Sequence, residues 1–224
     1  MTNFNKRCAF TLSELILSLI IVGVVAIITV PVLINNVQKK VFATQVKNFA
    51  AQIEQVAQDE LIAHRTRDLF NTDFADKNKL LTSEHFRIAK TCEPETSLTD
   101  CWKTQLTGKD KVIYKLINKS YHTSGISWKD KTIILKNGIM LTYDTRIDSG
   151  VQYGCFHFDI NGTDKPNIAG RDWFAFCVNK KGHVIAWVME LDPLATKMSN
   201  CKILKYAPYY CYGALADNNW KMDY

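Results

Sequence analysis

From Leu15 to Ile34 the chain carries twenty residues without a charge. Twenty helical residues rise about 30 Å, the thickness of a bilayer's hydrocarbon core. A secretory h-region is shorter, about 7–15 residues, and is followed by a small-residue cleavage site. Here the small-residue site, Ala9, lies before the run. Cys8 also precedes it, whereas a lipidated cysteine should follow an apolar stretch. Lys6 and Arg7 would remain cytoplasmic on a plain single-pass anchor, with the rest of the chain outside. The other residues suit a globular part. Of 224 residues, 47% are apolar and 22% charged, enough for one core and too charged for a polytopic membrane protein. The net charge of +6 is a mild excess and only a weak pull toward nucleic acid or anionic surfaces.

Glu14 interrupts this pattern at the edge of the apolar run. A carboxylate near hydrocarbon is costly without a partner and marks function by default. The phrase Ala9-Phe10-Thr11-Leu12-Ser13-Glu14-Leu15, behind a short basic leader, resembles the type IV prepilin signature. The resemblance covers about 25 residues, in an order specific to that family. It implies cleavage between Ala9 and Phe10 by an inner-membrane prepilin peptidase, and methylation of the new α-amine of Phe10. It also implies that the Glu14 carboxylate pairs with the positive N-terminus of a neighbouring subunit during assembly. Gly23 and Pro31 fall where pilins commonly have a glycine and a proline. Pro31 removes an intrahelical hydrogen bond and can kink the helix there. The departures are Ala9, where the family usually has glycine, and Ser13, where an aliphatic residue is common.

The organisation implied is a leader over 1–9, a transmembrane or filament-core helix over 10–35 and a pilin-like globular domain over 36–224. The implied protein is a structural subunit of a type IV pilus-like or type II secretion filament. It would start in the bacterial inner membrane, single-pass with its N-terminus cytoplasmic, and end in a periplasmic or extracellular filament. Its partners would be the membrane, other pilin or pseudopilin subunits, the peptidase and an assembly platform protein. A signal-anchored, periplasm-facing binding protein is the alternative from another class. A DNA-capturing minor pilin is the alternative within the class. Loss of Lys6 and Arg7 with the leader lowers the positive charge and argues against nucleic acid. No G-x-S-x-G, P-loop or paired-carboxylate motif stands out, so no catalytic site is expected.

Helical periodicity continues beyond the apolar run. Phe42, Val46, Phe49, Ile53 and Val56 recur in steps of four and three, with polar residues between them. The spacing predicts helix from about Thr11 to about Ala63, roughly 80 Å long, with a stripe on its second half that a domain must cover. Residues 64–110 show no lasting period, and residues 191–224 read as irregular and tyrosine-rich. Strands are expected over 132–135 and 139–143 around Asn137-Gly138, a strong hairpin signal. Further strands are expected over 151–158, 173–178 and 183–189. The fold class is therefore α+β, a long N-terminal helix packed on a C-terminal antiparallel sheet.

Seven cysteines leave one over, and the leader removes Cys8. Cys155 and Cys177 can face each other across antiparallel strands. The same register sets Phe156 against Phe176 and Phe158 against Phe174, gathering four phenylalanines on the other face. Cys92 with Cys101, and Cys201 with Cys211, enclose short local loops containing Pro94 and Pro208. Three disulfides imply an oxidising compartment. The absence of C-x-x-C and of H-E-x-x-H spacing weakens a metal reading of these residues.

The loop Asp159 to Asp172 admits two readings. Asp159, Asn161, Asp164, Asn167 and Asp172 offer the hard oxygens that calcium needs, and some type II secretion pseudopilins carry calcium in such a loop. Its Asn-Gly, proline and asparagines are also ordinary turn formers, and Lys165 and Arg171 would oppose a cation. The polar turn is the favoured reading, with no cofactor required. The sequons at Asn118 and Asn161 and the Lys-Asp-Lys triplets read as ordinary surface.

Overall fold

The computed structural model describes residues 11–82, 84–102, 114–118, 130–186, 198–203 and 207–224. Ala9 and Phe10 lie outside them. Helix α1 spans Leu12–Ala63 and stays helical through Pro31. The chain divides into two compact units, Met1–Lys40 and Val41–Tyr224. In the first, every residue from 11 to 37 is exposed. In the second, the stripe begins at Phe42 and buries Ala43, Val46, Phe49, Ala50, Ile53, Ala57 and Glu60. Small alanines alternate with large side chains along this face, so the helix can lie close to what covers it.

That cover is a six-stranded sheet in the order β1-β2-β3-β4-β5-β6, antiparallel throughout. The strands are β1 Ile88–Cys92, β2 Thr132–Leu135, β3 Met140–Asp148, β4 Val151–Asp159, β5 Trp173–Val178 and β6 Val184–Ile185. Strands β2 and β3 turn at Asn137-Gly138, as the sequence predicts. Strands β3 and β4 turn at Ser149-Gly150, where both residues have positive φ, 50° and 80°. This combination suits a two-residue hairpin, and glycine accepts it without strain. In β4 and β5 Cys155 faces Cys177, Phe156 faces Phe176 and Phe158 faces Phe174. The Phe49 ring of α1 lies 4.7 Å from Phe158 and 5.9 Å from Phe176, centroid to centroid. The phenylalanine face of the sheet is thus the one that α1 covers.

Two expectations are corrected. The segment 191–224 is not irregular throughout: it contains α3, Met198–Ile203, and α4, Ala207–Asp217. Pro208 sits in the first turn of α4, where a missing N–H is harmless. Residues Ala207 to Leu215 are all buried, so no polar face produces a helical period. The stretch 64–110 contains strand β1, whose middle three residues are exposed, so it shows no alternation. Its other described residues include two 3₁₀ turns, Leu69–Asn71 and Asp73–Ala75, the short helix α2, Lys77–Leu80, and a π-helical turn, Ser97–Cys101. Of the strand expected over 183–189, residues 187–189 lie outside the described residues.

Candidate functional site

The N-terminal half of α1 presents apolar side chains all round. Leu12 to Val41 includes eighteen exposed large apolar residues — several of them β-branched — and the most exposed, Ile27, is 75% accessible. The helix is long and apolar enough to cross a membrane. Glu14 is the only ionisable residue from Thr11 to Gln38. The Thr11 N–H and hydroxyl both donate to Glu14 Oε2 at 2.9 Å, and the Glu14 N–H donates to Thr11 Oγ1 at 3.3 Å. This is a reciprocal capping box, written in the sequence as Thr11-Leu12-Ser13-Glu14. The carboxylate also lies in the helix's first turn, where the backbone dipole favours negative charge. Nothing packs within 4 Å of where a Gly23 side chain would begin. Chemically, this segment can enter hydrocarbon or pack against other apolar helices, with one carboxylate at its start.

The five oxygen-bearing residues of the 159–172 loop are not equivalent. Asp159 and Asp172 are fully buried, Asn167 is buried, Asn161 is half-buried and Asp164 is exposed. Asp159 Oδ2 accepts from the Tyr114 hydroxyl at 2.7 Å, and Oδ1 from the Asn161 N–H at 3.1 Å. Asp172 Oδ2 accepts from the Asn167 N–H at 2.6 Å, and Oδ1 from the Ile168 N–H at 2.7 Å. Asn161 Nδ2 donates to the carbonyls of Asp164 and Lys165. Burial, then the Asp172 charge, pushes the Asp159 carboxyl well above its usual range. Burial lifts Asp172 to about 6, although the N–H groups of Ile168 and Asn167 act the other way. Asn161 Oδ1 and Asn167 Oδ1 are buried and accept no hydrogen bond, which would suit a hard cation. Each of the four carboxylate oxygens accepts a donor from within the fold. The set is a turn capped by its own carboxylates.

The cysteines hold this region together. Disulfides join Cys92 to Cys101, Cys155 to Cys177, and Cys201 to Cys211. Gly170 lies in the loop with φ +88°, and a Cβ there would sit 2.6 Å from Cys211 Sγ and 2.9 Å from Cys201 Sγ. The Tyr224 hydroxyl donates to the Gly170 carbonyl at 2.6 Å. Glycine is required at this point by conformation and by space.

The sequence reading missed one gathering of residues. Glu60, His64, Asp73 and His85 meet at the C-terminal end of α1. Only the four-residue step from Glu60 to His64, which places both on one helical face, was visible beforehand. Compared with protein-family models, with curated proteins and with solved structures, the chain matches none.

Proposed function

We propose that the protein is a structural subunit, pilin or pseudopilin, of a type IV pilus-like or type II secretion filament. It is made with a leader, held in the inner membrane, cut between Ala9 and Phe10 and methylated at Phe10. The observation that carries this reading is the fully exposed apolar helix whose sole ionisable residue down to Gln38 is Glu14. A helix apolar on every side cannot face water and must be surrounded by lipid or by like helices. A fixed anchor would need no carboxylate there. In a filament, Glu14 would exchange its capping contact with Thr11 for the methylated amine of a neighbour, and two charges would be neutralised in an apolar core. The disulfide-bonded Val41–Tyr224 unit would form the outer surface.

Glu14→Ala tests this. The variant should insert in the membrane at normal levels and lose at least ten-fold in filament incorporation. Mass spectrometry of assembled protein should find methyl-Phe10 as the N-terminus. Normal incorporation of the variant, or an intact Met1 in the filament, would sink the proposal.

A further inference from the structure

The buried stripe of α1 ends on a carboxylate: after Ile53 and Ala57 the next buried position is Glu60, 8% accessible. His64 follows one turn later on the same face. The helix then stops by a chain reversal. Arg65 has φ 50°, the Thr66 N–H donates to the Leu61 carbonyl and the Arg65 N–H to the Ile62 carbonyl, which is a Schellman motif without its usual glycine. Asp68 and Thr72 cap the two 3₁₀ turns that follow. These turns return Asp73 to the helix, where its N–H donates to Glu60 Oε2 at 3.1 Å. His85, in the approach to β1, closes the group from the other side.

The donor atoms are spaced in a telling way. His64 Nε2 lies 3.4 Å from Glu60 Oε2, and His85 Nε2 lies 3.4 Å from Asp73 Oδ2 and 4.0 Å from Glu60 Oε1. The donors of Glu60, His64 and Asp73 all lie within 4.8 Å of one another. Charge-assisted hydrogen bonds are shorter, about 2.7–2.9 Å. Four donors each about 2.0–2.1 Å from a tetrahedral ion are separated by about 3.3–3.4 Å. Among the described residues, no lysine or arginine pairs with Glu60 or Asp73. The side chains of Glu60 and His85 are each 10% accessible, so burial leaves these two little water as an alternative partner. His64 is 44% accessible and leaves a route in.

From this geometry we infer that Glu60, His64 and Asp73 form a structural zinc site, which His85, beside Asp73 and Glu60 but outside that close group, completes as the fourth ligand. Two imidazoles with two carboxylates favour zinc over calcium or magnesium, which take oxygen ligands only. The ion would staple the end of α1 to the 3₁₀ turns and to the lead-in of β1, a stretch with little sheet of its own. The Asp73 N–H bond to Glu60 would hold the ligating carboxylate in place.

The test uses the full chain in detergent, stripped with a chelator and titrated with zinc chloride by calorimetry, with melting followed in parallel. One zinc per chain should bind with a dissociation constant of about 1 µM or tighter, and saturation should raise the Tm by roughly 5 °C. His64→Gln, at an exposed position that folding tolerates, should weaken binding at least ten-fold. His85→Gln should do the same if it folds. His183→Gln, in the exposed pair of His183 with Glu54 of α1, should change nothing. Absence of saturable one-to-one binding overturns the site. So does binding that survives His64→Gln at full strength, or that is lost instead on Asp172→Asn.

Discussion

Asp172 shows at the scale of one residue what the 159–172 loop is built to do. Its carboxyl titrates at about 6 in the fold, against 3.8 for the ordinary side chain, chiefly because it is buried. The folded state therefore holds this proton more tightly than the unfolded chain. The stability so gained is fully present below about pH 4 and is lost as pH rises through about 6. A shift of two units is worth at most about 3 kcal/mol, and Asp159 shares the effect. Replacing Asp172 by Asn should flatten the stability profile between pH 4 and 6.5 relative to the wild type, and should lower stability overall by upsetting the Asn167 and Ile168 N–H bonds. Chemical denaturation across that range checks it. A variant whose slope matches the wild type would show that Asp172 ionises as an ordinary surface acid. That Asp159 and Asp172 are turn caps was legible in the Asn-Gly and proline content of the loop. Their donors were not: Tyr114 is 45 residues away from Asp159, and no local pattern records the contact.

Elements were legible in proportion to how one-sided their burial is. The second half of α1 has one buried face and declared itself by period. Strands β4 and β5 declared their register because it satisfied two cysteines and four phenylalanines at once. Helix α4, buried nearly all round, and β1, exposed in its middle, carry no such contrast and were missed. Helices α3 and α4 are joined by Cys201–Cys211, and its sulfurs pack directly on Gly170. Closing a loop of about ten residues is worth roughly 3 kcal/mol. The double replacement Cys201→Ser with Cys211→Ser should cost about 2–4 kcal/mol in denaturant unfolding, and should loosen the Tyr224–Gly170 contact enough to change the near-ultraviolet dichroism. Unchanged stability would mean that α4 is held by its buried aromatic residues alone, for example Tyr209 against His157 and Tyr212 against Phe176. The Glu60–His64–Asp73–His85 group belongs to this scale too. Glu60 lies in the last turn of α1 and His64 just past its end, but the others reach them through capped turns whose path no period announces.

Across the whole molecule, burial divides the chain more sharply than secondary structure does. Helix α1 runs unbroken from Leu12 to Ala63, yet every residue from 11 to 37 is exposed and the core starts at Phe42. Removing the exposed half takes away no buried apolar contact, and so should take away no stability. The remaining residues 36–224 keep all three disulfides and the complete phenylalanine face. Their helix starts nearly two turns before Phe42, which leaves the stripe intact. This shortened chain, expressed to an oxidising compartment, should be soluble without detergent, run as a monomer on size exclusion and melt within about 3 °C of the full chain in detergent. A fall of 10 °C, or aggregation with the disulfides formed, would mean that the apolar half of α1 supports the domain. Equal melting would assign the apolar half to interactions outside the subunit, where Glu14→Ala then measures what its single carboxylate contributes.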